Sequence, residues 1–164
     1  MEDRPLAVID IDGVVADVRH RLHHIEGRRK DWDAFFAAAV DDPPHLEGVN
    51  LVGKLAADHD VLFLTGRPER LRADTEAWLE RHGLGGHRLV MRADGDRGPA
   101  ALVKLRRLRD EARTRTVGVV VDDDPVVVDA MKEAGYLVLH ADWEQRSAED
   151  DDTLATAQEV EGET

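Results

Sequence analysis

LAVIDIDG, Leu6 to Gly13, is the stretch whose reading decides the fold of this 164-residue chain. A mostly branched apolar run leads straight into two aspartates, separated by one residue and closed by glycine. That pattern predicts a strand buried on both faces, as in a parallel sheet, ending in carboxylates at its tip. Side chains alternate along a strand with period two, so Asp10 and Asp12 are expected on one side, and Gly13 lets the backbone turn at once. Two carboxylates at a strand end attract a metal or a substrate.

Working outward, the same kind of apolar run recurs. VLFLTG at Val61 to Gly66, RLVMR at Arg88 to Arg92, TVGVVVDDD at Thr116 to Asp124 and YLVLHA at Tyr136 to Ala141 each read as a strand. Between them lie amphipathic segments: Leu46 to His59, a helix with Pro68 in its first turn and Gly83 as its stop, Pro99 to Arg113, and Pro125 to Ala134 capped by Gly135. Strands alternating with helices predict an α/β three-layer sandwich around a central parallel sheet. Residues 14–45 fit no strand and are expected to form a small cap inserted after the first strand, with a short helix that begins at Asp31 or Asp33 and stops before Pro43 and Pro44. The body is then expected to span residues 1–143, followed by an acidic tail at 144–164.

Composition narrows the class. A chain of this length with 42% hydrophobic residues can bury one core. With no cysteine, thiol chemistry, disulfides and Cys-ligated zinc are excluded. No basic leader precedes an apolar run, and no run approaches membrane-spanning length, so a cytoplasmic protein without membrane contact is expected. The net charge of −13 is unevenly spread: residues 144–164 hold eight acids against Arg146, whereas Arg19 to Lys30 and Lys104 to Arg115 are basic. Local patches can therefore still hold phosphates.

In open α/β sheets, ligands bind beyond the carboxyl ends of the strands. Those ends carry Asp10 and Asp12, then Thr65, Gly66 and Arg67, then Asp122 to Asp124, with Lys104 on the intervening helix. Either acidic cluster alone is equally compatible with a plain turn; together, at matching strand ends, they favour a site. Carboxylates crowded at one mouth repel by about 4 kcal/mol per pair at 4 Å and an effective dielectric near 20. Hard oxygen donors suit Mg²⁺, with Asp10, Asp12, Asp122 and Asp123 as candidate ligands. A carboxylate beside Mg²⁺ suggests an aspartyl-phosphate mechanism. Asp10 would attack phosphorus, Asp12 would move protons, Thr65 would donate to the phosphoryl group, and Lys104 would neutralise its oxygens. A receiver domain uses similar residues, but its acidic pair comes first and its phosphorylated Asp later.

DIDG (10 to 13), LFLTGR (62 to 67), Lys104 and VVVDDD (119 to 124) resemble the four motifs of the haloacid dehalogenase superfamily of phosphohydrolases, over about three quarters of the chain. Within it, Thr65-Gly66-Arg67, Arg21 nine residues beyond Asp12, and LVMR leading into the Lys104 helix are similar to the 3′-phosphatase domain of phage-type polynucleotide kinase-phosphatase. The resemblance implies a Rossmann-like fold, active-site roles for Arg21, Arg67 and Lys104, a metal contact through the Asp12 carbonyl, and a substrate that is an RNA or DNA 3′ end, a nucleotide or a small phosphorylated metabolite. A fold-retaining binding partner without catalysis is the alternative of another class. Val14 stands where the family has Thr, and Ala100 where it has Asp. No P-loop pattern occurs, so a kinase or ligase activity would belong to a separate partner. A homo-oligomer whose neighbour covers a wide site also fits.

His20, His23 and His24 lack a recognised ligand spacing and read as a solvated or substrate-facing segment. Trp32, Phe35 and Phe36 read as packing the cap to the body, with nucleobase stacking as the other use of such rings.

Overall fold

The alternation read from residues 6–9 is visible in the computed structural model, which describes residues 3–149. Leu6–Ile9 forms β1, all four residues buried. Leu6 and Val8 pack into one core cluster, Ala7 and Ile9 into another on the opposite face. The first cluster is completed by Leu108 of α4 (Ala100–Ala112) and by Val127 and Met131 of α5 (Pro125–Glu133). The second is completed by Val52 of α2 (Leu46–Leu55) and by Trp78 and Leu79 of α3 (Arg72–Arg81). Helices thus cover both faces, and each fully buried aliphatic side chain contributes about 1.5–3 kcal/mol relative to exposure.

The sheet contains β2 (Asp60–Pro68), β3 (Arg88–Arg92), β4 (Val117–Asp122) and β5 (Val138–His140) in the order β3-β2-β1-β4-β5, every pairing parallel. The chain winds outward from β1 through β2 to β3, then crosses back to β4 and on to β5 at the other side of β1, so the crevice where ligands collect in such sheets opens at the ends of β1 and β4.

Three local expectations change. Pro68 does not start a helix but ends β2; a single 3₁₀ turn, Glu69–Leu71, intervenes before α3. The register jumps from Thr65↔Met91 to Pro68↔Arg92, so Gly66 and Arg67 bulge out of the ladder, where a missing proline N–H costs nothing. The helix expected between Asp31 and Pro43 splits into α1 (Trp32–Ala37), with Asp31 accepting from the Ala34 N–H at 3.0 Å, and a 3₁₀ turn, Ala38–Asp41. The chain also stays with the body past 143. Residues 143–149 are helical, Trp143 is buried and donates its indole N–H to the Val14 carbonyl at 2.9 Å, and Glu144 lies 2.7 Å from His45 Nε2. The remainder of the expected acidic tail, 150–164, lies outside the described residues.

The insert after β1 is closed at its base. Asp17 N donates to Pro43 O and His45 N to Val15 O, both at 2.8 Å, and Ala16 bridges Pro44. Within it, Arg19–His24 makes two 3₁₀ turns rather than a strand. Gly48 of α2 lies so close to this base that a Cβ would sit 1.8 Å from the Val14 carbonyl oxygen. Only glycine allows that approach. Among the described residues, no helix is long and apolar enough to cross a membrane.

Candidate active site

The end of β1 places Asp10 beside the end of β4, where the Asp10 N–H donates to Val121 O at 2.9 Å. Asp10 has the strand parity of Leu6 and Val8, which faces α4, and Lys104 reaches it from there. Lys104 Nζ lies 3.2 Å from Asp10 Oδ1 and donates to Asp122 Oδ2 at 2.7 Å. Asp122 also accepts from the Asp124 N–H at 3.0 Å, and Asp10 Oδ1 from the Ile11 N–H at 2.8 Å. Gly13, at φ +78°, turns the chain under Asp123, whose Oδ2 occupies the space a Cβ would need. Its conformation and its missing side chain are both required.

Asp10, Asp122 and Asp123 each offer a carboxylate oxygen, and these oxygens lie within 4.8 Å of one another. One ammonium faces three carboxylates, so negative charge is in excess. Burial, and then repulsion by Asp122, pushes the Asp10 carboxyl well above its usual range, against the pull of Lys104. Burial and Asp122 likewise push Asp123 up to about 6. For Lys104, burial alone would favour the neutral amine, but Asp10 and Asp122 outweigh it and hold the ammonium charged. A donor set of hard oxygens with uncompensated negative charge fits a divalent cation of the Mg²⁺ kind.

Asp12 belongs to a different neighbourhood. The bulge in β2 aims Arg67 at it, with Nε and Nη2 donating to Asp12 Oδ1 at 2.9 and 2.6 Å. Arg21, wholly buried, adds a third donation to the same oxygen at 3.1 Å. Burial would raise the Asp12 carboxyl, yet Arg67 and Arg21 together hold it below the ordinary value. Thr65, buried at the end of the regular ladder, accepts the Arg67 N–H at 3.1 Å.

Two buried guanidiniums need more than one carboxylate, and the second comes from a residue that the sequence reading passed over. Asp42 is 3% exposed. It accepts from Arg21 Nε and Nη2 at 2.8 Å each, in a bidentate pair, and from Arg67 Nη2 at 3.2 Å. His20 Nε2 lies 2.6 Å away, and the Asp42 carbonyl accepts the Trp78 indole N–H at 2.9 Å. Residues 41–44, DDPP, were read only as a helix stop. The available signal was physical: two arginines expected at the site imply buried counter-charge, and Asp42 stands just before the segment where the insert closes on residues 15–17. Thr75 of α3, which accepts from Arg67 Nη1 at 3.3 Å, shares the sheet-facing side of its helix with Trp78 and Leu79, a pattern that pointed to packing and not to the site.

Asp10, Asp12, Thr65, Gly66, Lys104 and Asp123 line one cleft of about 350 Å³, joined by Ala100 and by Gln145 from the C-terminal helical residues. Asp122 reaches it through Lys104, and Arg21 and Arg67 through Asp12. Asp122, Arg21 and Arg67 are thus tied to the cleft through residues that line it, while the His23 and His24 rings lie 4.0 Å apart, tilted by 39°.

A family model described as the polynucleotide kinase PNKP phosphatase domain matches residues 5–144. Among solved structures, the chain is similar to one in the "Pnkp1/Rnl/Hen1 complex", at 20% identity and a TM-score of 0.71, over 85% of this chain and 46% of that one. The chain thus spans about half the length of that relative. It is also similar to a haloacid dehalogenase-like hydrolase, SP0104, from Streptococcus pneumoniae (10% identity, TM-score 0.59, 85% of each chain). A third similar structure is the putative hydrolase YfnB from Bacillus subtilis bound to magnesium (10% identity, TM-score 0.58, 84% and 88%). At these identities the likeness carries the fold. No curated protein sequence matches this one significantly.

Proposed function

The chain belongs to the family of polynucleotide kinase PNKP phosphatase domains, phosphoric monoester hydrolases of the haloacid dehalogenase superfamily, and from that premise we propose that it removes 3′-phosphates from polynucleotide ends. The observation that carries this reading is the pairing of two electrostatic neighbourhoods in one cleft: a carboxylate cluster suited to a cation, and two buried arginines converging on Asp12.

Asp10, Asp122 and Asp123, with the Asp12 carbonyl, would hold Mg²⁺, which when bound supplies charge neutralisation that lets an anionic phosphate approach. Asp10 is the nucleophile: its Oδ attacks phosphorus, the ester bond to the 3′-oxygen breaks, and an aspartyl phosphate forms. Lys104 lies beside Asp10 already charged and offsets charge on the phosphoryl oxygens. Thr65 contributes a hydroxyl to those oxygens. Asp12 starts ionised under Arg67 and Arg21, so it gains a proton for the departing 3′-oxygen only as the incoming phosphate draws those guanidiniums off. It then takes a proton from the water that attacks the intermediate, releasing phosphate and restoring Asp10.

We place this hydrolysis beside a kinase or ligase step of end repair; the similar chain was solved in a Pnkp1/Rnl/Hen1 complex. Rates of phosphate release from a 3′-phosphorylated oligonucleotide, its 5′-phosphorylated isomer and nucleoside monophosphates, each with Mg²⁺, test the assignment. The 3′-end is expected to be hydrolysed fastest. Equal rates on all three would remove the case for end-healing.

A further inference from the structure

Beside the catalytic cleft, and sharing Gly66 with it, lies a second cleft of about 700 Å³. Trp32 and Phe36 of α1, Pro68 and Arg70 after the bulge, and Arg92 and Arg97 around the loop after β3 line it, with two carboxylates that each face an arginine, Asp33 (Arg70) and Asp96 (Arg106). Its volume falls within the range of pockets that hold small organic ligands. The chemistry of its walls narrows the occupant.

The three rings of α1 divide into two uses. Phe35 is 7% exposed and lies 4.3 Å beneath the Arg21 guanidinium, so this ring packs the insert to the body. Trp32, on the first turn of the same helix, is 46% exposed, with Phe36 stacked on it at 5.9 Å and 30°. Anchoring an insert means burying the indole, and here it stays nearly half open. The cations divide in the same way. Arg92 is committed to the carbonyls of Asp96 and Gly98 and holds the loop in shape. Among the described residues the Arg70 guanidinium pairs with Asp33 alone, at 3.7 Å, and sits 5.6 Å from the Phe36 ring. Arg97 is exposed and carries no ion pair or hydrogen bond among the described residues. Arg28, Arg29 and Lys30, exposed just before α1, add positive charge in a chain whose net charge is −13.

An open aromatic platform, unspent arginines and a phosphate-handling site next door match the needs of a single nucleic-acid strand, whose bases stack on rings while cations follow the backbone. Resting on the 3′-phosphatase reading above, we propose that this cleft seats the nucleotides preceding the phosphorylated end of a single strand. A base stacks on Trp32 and Phe36, and the phosphodiester backbone lies against Arg70 and Arg97. A nucleoside 3′-monophosphate has no preceding phosphodiester and cannot reach these groups. Affinity should therefore depend on strand length.

The test is binding rather than turnover. Full-length Asp10→Asn protein with Mg²⁺ is titrated with fluorescent single-stranded DNA carrying a 3′-phosphate, from one to six nucleotides. Affinity is expected to rise with the second and third nucleotides, by roughly 5- to 150-fold per stacked base, and then to level off. Trp32→Ala in the same background should erase most of that gain, and Trp32→Phe should keep part of it. Arg97→Gln should lower the slope of log affinity against log salt by about 0.7, one phosphate contact on a single strand. Affinity independent of length, or length dependence that ignores both Trp32 and Arg97, overturns the cleft assignment while leaving the phosphatase reading to stand on its own rates. Length- and Trp32-dependent binding by a protein that shows no preference for 3′-phosphates would keep the cleft and sink that reading. Should Trp32→Ala fail to fold, Arg97→Gln on its exposed loop decides the matter through the salt slope.

Discussion

The two halves of the catalytic cleft are built on opposite electrostatic plans. Around Lys104 three carboxylates crowd one ammonium, and the site is left short of positive charge. Around Asp12 two guanidiniums face two carboxylates, and every strong charge is answered. The first half stands on strand ends of the sheet, whose rigidity can hold groups that repel one another. The second depends on the insert, which delivers Arg21 and Asp42 as a ready-made pair. The charge balance of the acidic half thus suits a cation, and that of the basic half an anion that can take the place of the Asp12 carboxylate against the arginines.

The sharpest way to break this contrast is Asp10→Asn. In the nucleophilic role proposed above, Asp10 should cost roughly four orders of magnitude or more in kcat when removed. Because its carboxyl is pushed well above its usual range, the neutral amide should also stabilise the metal-free fold at pH 7, raising Tm by about 2–4 °C per kcal/mol relieved. Full activity in this variant would end the aspartyl-phosphate mechanism. The opposite outcome is expected of Asp42→Asn. It leaves Arg21 and Arg67 buried with half their counter-charge, which costs about 3–5 kcal/mol in stability, read by urea or thermal unfolding. Misaimed arginines should also lower kcat/KM by about 100-fold. A variant as stable as the parent would mean that Asp12 alone balances both guanidiniums.

That difference also marks how far the sequence could be read. The acidic half was legible because each of its groups sits at a predictable strand end, fixed by a period of two and by local turns. Lys104 followed from its place on the intervening helix. The basic half was legible only in part. Arg67 abuts Thr65, but its aim depends on a bulge that no local pattern announced, and Pro68 was misread as a helix start. Asp42 was missed because its role arises from closure of the insert, a contact 25 residues from Arg67 in sequence and 21 from Arg21. Likewise the step from body to acidic tail was placed after Trp143 on composition, whereas Glu144, the first residue of that tail, is held by His45, far along the chain.

A metal titration sharpens the acidic half. In the metal-free protein Asp123 sits at about 6 against an ordinary 3.8, so the folded state binds the proton more tightly than the unfolded chain. Its contribution is fully present below about pH 4 and is lost as pH rises through about 6. Mg²⁺ competes for the same oxygens, so its affinity should climb over that window and go on climbing above it for as long as Asp10, also pushed up, still holds a proton. Calorimetric titrations at pH 5, 6 and 7.5 read this directly, and at 100 Kd of Mg²⁺ the fold should gain about 2.7 kcal/mol. Identical affinities at pH 5 and 7.5 would show that proton and cation do not share the site.

The mildest test is Ala100→Asp, at the start of α4. Ala100 lines the catalytic cleft four residues before Lys104, on the same helix face, where the resembling family carries an aspartate. A carboxylate there adds a further competitor for the ammonium that now spans Asp10 and Asp122. The acidic half becomes more crowded while the arginine half is untouched. Loosening Lys104 from Asp10 should change kcat by about two- to tenfold, since 1.4 kcal/mol is tenfold and an i,i+4 pair on a helix is worth less than that. The preference between 3′- and 5′-phosphates should move with it if Lys104 helps to select the leaving group. If neither quantity changes, Lys104 is fixed by Asp10 and Asp122 alone, and alanine at position 100 has no bearing on the chemistry.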